Sequence, residues 1–126
     1  MSRDIRLPDV EVLVLEDDYY LADDAARTLE EAGARVIGPF SDADEAVRAA
    51  QERKPSCALV DINLGGGPSF AAANALVSGG VPIIFVTGYD ADVIPPQFQD
   101  APRLLKPIEP YRIVEAVRSV CAQPGG

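Results

Sequence analysis

Cys57-Ala58-Leu59-Val60-Asp61 is four apolar residues closed by an acid. A run with no polar interruption and no helical period fits a strand covered on both faces, as in a parallel sheet. The same form recurs on either side of it. Val10 to Leu15 is a short, β-branched-rich run that ends in Glu16-Asp17-Asp18. Ile83-Ile84-Phe85-Val86 ends in Thr87, and Leu104-Leu105 ends in Lys106. Arg35-Val36-Ile37 is a further short strand, ended by Gly38-Pro39.

Helical spacing fills the intervals. Leu21, Ala25, Thr28, Leu29 and Ala32 mark a helix from about Tyr19 to Ala32, with Gly33 as its stop. Ser41-Asp42-Ala43-Asp44-Glu45 carries an N-cap signal, an acid three residues after the serine, for a helix to about Arg53. Gly65-Gly66-Gly67-Pro68 turns the chain into a small-residue helix, about Ser69 to Val77, closed by Gly79-Gly80. A last helix opens at Glu109-Pro110 and carries the stripe Ile113, Val114, Val117, Val120 and Cys121. The alternation fails only between the fourth and fifth strands. Gly88 to Pro102 contains Pro95, Pro96 and Pro102, and a proline inside a helix costs about 3 kcal/mol. The helix expected there is short, distorted or absent. Strands alternating with helices specify an α/β fold with a five-stranded parallel sheet and helices on both faces.

Composition narrows the function. The chain has 126 residues, which suits one domain, and 48% of them are hydrophobic, a globular composition. Twenty acidic residues against 11 basic ones give a net charge of −9. That balance opposes a nucleic-acid-binding surface, which needs clustered Lys and Arg. No apolar run approaches the ~20 residues of a membrane span, and Met1-Ser2-Arg3-Asp4 leads into no signal-peptide core. Cys57 and Cys121 lack metal spacing and read as small buried hydrophobes of a reducing compartment, so a cytoplasmic location is expected. The absence of His removes imidazole acid–base chemistry and most zinc sites.

In open parallel sheets, ligands bind beyond the carboxyl ends of the strands. That rim here collects Glu16, Asp17, Asp61, Thr87 and Lys106. Close carboxylate pairs repel by about 4 kcal/mol each at an effective dielectric of 20. A hard divalent cation removes that repulsion, and Mg²⁺ suits two or three carboxylates and a carbonyl. Asp61 can then act as a nucleophile toward phosphorus, giving an aspartyl phosphate. Lys106 neutralises phosphoryl oxygens and Thr87 donates a hydrogen bond to one of them. Asp18 is the acid best placed to cap the first helix. Asp23-Asp24 and Glu30-Glu31 read as solvated helix surface.

These motifs carry a resemblance. Leu15-Glu16-Asp17, Leu59-Val60-Asp61-Ile62-Asn63-Leu64, Val86-Thr87-Gly88 and Leu105-Lys106-Pro107, in this order and spacing, resemble the receiver domain of two-component response regulators, a flavodoxin-like or CheY-like fold. The resemblance covers about Val10 to Cys121. It implies strand order 2-1-3-4-5, one receiver domain over 1–126, and no output domain. It implies phosphorylation at Asp61, with Mg²⁺ held by Glu16 or Asp17, by Asp61 and by the Asn63 backbone carbonyl, and a cis peptide at Lys106-Pro107. Its implied partners are a histidine kinase or a histidine phosphotransfer protein, and a downstream protein target. Signalling would proceed by phosphotransfer or protein contact. The domain would assist its own phosphorylation and dephosphorylation without being an enzyme in the ordinary sense.

The run Pro82 to Tyr89 also resembles a stand-alone subgroup with a Phe-Ala-Thr-Gly-type motif, associated with stress and phosphorelay signalling; Val86 stands where that motif has Ala. Arg103 occupies the position, three before the lysine, where many receivers carry a switching Phe or Tyr. Tyr89 fits either an exposed aromatic for partner binding or a ring packed over its loop. The competing reading is a Mg²⁺-dependent phosphohydrolase with an aspartyl nucleophile. The haloacid-dehalogenase type needs an acid two residues on, where Asn63 stands. A flavodoxin-like electron carrier needs a phosphate loop where Glu16-Asp17-Asp18 stands. On the receiver reading, Thr87 and the Gly88 to Pro102 segment form the element that phosphorylation shifts between two states.

Overall fold

A computed structural model describes residues 6–62, 70–88 and 94–121. Its strands are β1 (Glu11–Leu15), β2 (Arg35–Phe40), β3 (Cys57–Asp61), β4 (Ile83–Thr87) and β5 (Arg103–Leu105). Its helices are α1 (Tyr19–Glu31), α2 (Ala43–Arg53), α3 (Ala71–Ser78) and α4 (Pro110–Cys121). The sheet is parallel throughout, in the order β2-β1-β3-β4-β5. Asn63, the Gly65–Pro68 turn and Tyr89 lie outside the described residues, as does part of the Gly88 to Pro102 segment.

Both faces of the sheet are covered, which is why the central strands have no polar face. Leu13, Leu15, Ala58, Val60, Ile83 and Phe85 pack on one side with Ala46 and Ala50 of α2 and Ala72, Ala73 and Leu76 of α3. Val12, Val14, Cys57, Leu59, Ile84 and Val86 pack on the other with Ala25 and Leu29 of α1 and Ile113, Val114 and Val117 of α4. The period-2 alternation of strand side chains divides each apolar run between two cores. Each fully buried Leu or Ile contributes about 1.5–3 kcal/mol.

The prolines of the β4–β5 connection act as expected. Its described part contains a 3-10 turn at Pro96–Phe98 and no α-helix. Phe98 from that turn closes the core instead, its ring edge-on to Phe85 at 5.4 Å and stacked with Phe70 at 6.1 Å.

Two local readings need correction. β2 does not end at Gly38-Pro39 but continues to Phe40, with Gly38 at φ +103° and a register shift opposite β1 that re-pairs Leu15 with Phe40. Glycine supplies the left-handed conformation that lets an edge strand step over the irregularity and go on. The cap of α2 is Asp42 rather than Ser41. The Asp42 Oδ2 accepts from the Glu45 N–H at 2.9 Å, and Asp42 itself has the extended backbone of a cap residue.

Candidate functional site

Parallel pairing brings the strand ends to one rim. Asp61 ends β3 opposite Val86, and Thr87 ends β4 opposite Leu105, the residue before Lys106. Backbone hydrogen bonds extend this alignment past the strands. The Ile62 N–H donates to the Val86 carbonyl at 3.1 Å and the Lys106 N–H to the Thr87 carbonyl at 2.9 Å. On the other side the Glu16 N–H donates to the Phe40 carbonyl at 2.9 Å. The extension of β2 through Gly38 therefore positions Glu16. The signal for it in the sequence was Gly38-Pro39, which reads equally well as a strand stop.

Asp61 (1% exposed), Thr87 (2%) and Glu16 (7%) are the buried polar residues of the described chain. Their burial is compensated. The Lys106 ammonium lies 3.3 Å from the Asp61 Oδ2 and 3.6 Å from the Glu16 Oε2. The Glu16 Oε2 also accepts from the Asp18 N–H at 3.1 Å. Asp18 turns its own carboxylate to the α1 terminus, where Oδ1 accepts from the Tyr20 and Leu21 N–H groups at 3.0 and 3.1 Å. The three consecutive acids thus divide their work: Glu16 points inward, Asp18 caps, and Asp17 stays exposed at the rim.

Burial, and a hydrogen bond to the Asp61 carboxyl reinforced by its charge, push the Glu16 carboxyl up to about 7, against the opposing pull of the Asp18 N–H and of Lys106. Burial works against the Lys106 ammonium, but the charges of Glu16 and Asp61 more than offset it and hold its pKa above the ordinary lysine value. The lysine stays charged, and the proton that Glu16 keeps relieves part of the remaining repulsion.

Glu16, Asp17 and Asp61 each offer a carboxylate oxygen, all within 4.8 Å of one another. Three carboxylates against one ammonium leave a deficit that a divalent cation matches, and an all-oxygen donor set is one that Mg²⁺ accepts. The Glu16 proton does part of the same electrostatic work. These residues therefore fit a hard divalent ion. Of the residues singled out in the sequence, Glu16, Asp17, Asp61, Thr87 and Lys106 meet at this rim. Arg103 does not join them. It pairs with Phe85 in register, and its guanidinium donates to the Gln99 carbonyl at 2.8 Å, toward the 3-10 turn.

Comparison with known proteins agrees with this architecture. A relative in Methylorubrum extorquens, the phyllosphere-induced regulator PhyR, is 34% identical over 107 residues, covering 82% of this chain and 40% of that protein. The transcriptional regulatory protein PdtaR of Mycobacterium tuberculosis is 26% identical over 110 residues, 86% of this chain and 54% of its own. The chain thus spans about half the length of the curated relatives it matches. Among solved structures, the signal receiver domain of a modulated diguanylate cyclase from Desulfovibrio desulfuricans superposes with a TM-score of 0.76 at 30% identity, covering 89% of this chain and 93% of that one. The family model of the response regulator receiver domain matches residues 12–118, from the first strand into the last helix. A match of that extent, on a parallel sheet whose carboxyl edge gathers these side chains, makes the chain a member of the response regulator receiver domain family.

Proposed function

We propose that the chain accepts a phosphoryl group on Asp61 from a histidine kinase or a histidine phosphotransfer protein, and signals in that state by phosphotransfer or by contact with another protein. The observation that carries the reading is the setting of Asp61: a buried carboxylate at a strand end, 3.3 Å from the Lys106 ammonium and clustered with Glu16 and Asp17. An Asp61 oxygen forms the new bond to phosphorus as the donor's phosphorus–nitrogen bond breaks, and the imidazole leaves with its electron pair. Lys106 offsets charge on the phosphoryl oxygens, and the Thr87 hydroxyl hydrogen-bonds one of them. Glu16, Asp17 and Asp61, with the Asn63 carbonyl, would hold Mg²⁺, which when bound supplies positive charge to the same oxygens. Burial keeps bulk water from the Asp61 carboxylate.

Incubation with phosphorylated kinase or acetyl phosphate, with Mg²⁺, is the test. Wild type is expected to take label and Asp61→Ala to take none. An unlabelled wild type, or undiminished label on Asp61→Ala, overturns the proposal. The phosphohydrolase reading predicts turnover of small phosphate esters, and no observation at the site favours it.

A further inference from the structure

We propose that a groove at the amino ends of the strands docks a partner protein through a short aliphatic segment flanked by lysine or arginine. The groove is open, has a volume of about 910 Å³, and lies where β3, β4 and β5 begin and α4 ends. Val10, Val77, Pro82, Phe98, Pro102 and Val120 give it an apolar lining. The proline-rich connection between β4 and β5 supplies one wall, because it makes a 3-10 turn and no α-helix in its described part.

The lining selects the occupant. Val77 is 47% exposed on α3, and Pro82 and Pro102 are exposed beside it in the same groove. The other large hydrophobic residues exposed among the described ones are Tyr19, Tyr20 and Leu105, and all three belong to the carboxyl rim. Val77 therefore marks a separate apolar surface. Asp9 and Asp100 are the charged residues that line the groove; both are exposed, and neither joins an ion pair among the described residues. No lysine or arginine lines it. An acidic segment is repelled there and a basic one is matched. The volume stands near the top of the roughly 300–1,000 Å³ of small-ligand clefts, but those enclose their ligand, whereas an open apolar trough suits a length of chain. Aliphatic side chains over Val77 and Val120 supply the affinity, and the two carboxylates set the preference for cations.

The groove and the Asp61 rim occupy opposite ends of the sheet. β3 and β4 are five residues each and lead from one to the other, about 16 Å of extended chain. A partner seated in the groove leaves the rim open to a phosphodonor. Docking here needs no phosphoryl group on Asp61, so it holds or fails independently of phosphorylation.

Panning a random-peptide phage library against the full chain, with fluorescence anisotropy and amide NMR shifts on the enriched peptides, tests this. Enriched peptides are expected to carry an aliphatic run with Lys or Arg beside it and to shift the amides of Val10, Val77, Phe98 and Val120. Val77→Ser is expected to weaken binding about tenfold. Asp9→Asn combined with Asp100→Asn should weaken it about fivefold and flatten its salt dependence. Asp61→Ala should bind as wild type does. All three groove positions are exposed, and Asn tolerates the positive φ of 61° at residue 9, so these variants keep the fold. A library that yields no binder, enrichment of acidic peptides, or binding indifferent to Val77→Ser would each overturn the proposal. A dimer in sedimentation that Val77→Ser dissolves would overturn it too, by giving the groove to a second copy of the chain.

Discussion

Glu16 keeps its proton to about pH 7 because it is buried and faces a second carboxyl. That has a definite consequence for stability. Between about pH 4.5 and 7 the folded chain holds a proton that an unfolded Glu16 has released, so this group's contribution is fully present below pH 4.5 and declines as pH rises to 7. In a chelator-treated sample, urea unfolding is expected to show a loss on the order of 2 kcal/mol from this group across that window. Glu16→Gln is expected to flatten that part of the profile, since the amide has no proton to lose. An unchanged slope in the variant would contradict the assignment. The same proton competes with a divalent cation, so Mg²⁺ affinity should climb by up to about tenfold per pH unit below 7 and level off above it.

At the level of elements, two local features control how the rim is presented. The first is the cap of α2. Ser41 fits the capping-box spacing, and its competitor one position on was not resolved by spacing alone, because both residue types are good caps. The cap depends on where β2 ends, and Gly38-Pro39 resembles a strand stop although β2 runs on to Phe40. Asp42→Ala should destabilise the fold by about 1 kcal/mol, and Ser41→Ala by no more than about 0.5, as read by denaturant midpoints. The second is Gly38. At φ +103° an added Cβ would sit 2.8 Å from the Phe40 backbone nitrogen, and the Phe40 carbonyl is the acceptor that holds Glu16. Gly38→Ala should cost more than about 1 kcal/mol and weaken Mg²⁺ binding by calorimetry, although residue 38 belongs to no candidate ligand set. A stable variant with unaltered Mg²⁺ affinity would show that the β2 extension does not set the Glu16 position.

Over the whole molecule, what could be read in the sequence was whatever depends on chain order and periodicity. Each central strand is an apolar run ending in a polar residue, so both the sheet and its functional edge followed from counting. Side-chain encounters across the core were not readable in that way. The Phe70, Phe85 and Phe98 cluster depends on packing angles that no local pattern encodes. The charge surplus also separates into two kinds. Most of the −9 lies on solvated surface, such as Asp23 and Asp24, which share Arg27. A small part is concentrated where β1 and β3 end. Because Glu16 and Asp61 lie 45 positions apart in the chain and meet only in the folded sheet, an ion held by both would bind the native state and not the unfolded chain. Mg²⁺ at about a hundred times its dissociation constant should therefore stabilise the fold by about 2.7 kcal/mol, and NaCl at matched ionic strength by far less. Asp17→Asn separates ion binding from folding, since Asp17 is exposed and its loss should leave the metal-free protein within about 0.5 kcal/mol of wild type. The Mg²⁺-induced rise in melting temperature should shrink in that variant, and a full rise would remove Asp17 from the ligand set.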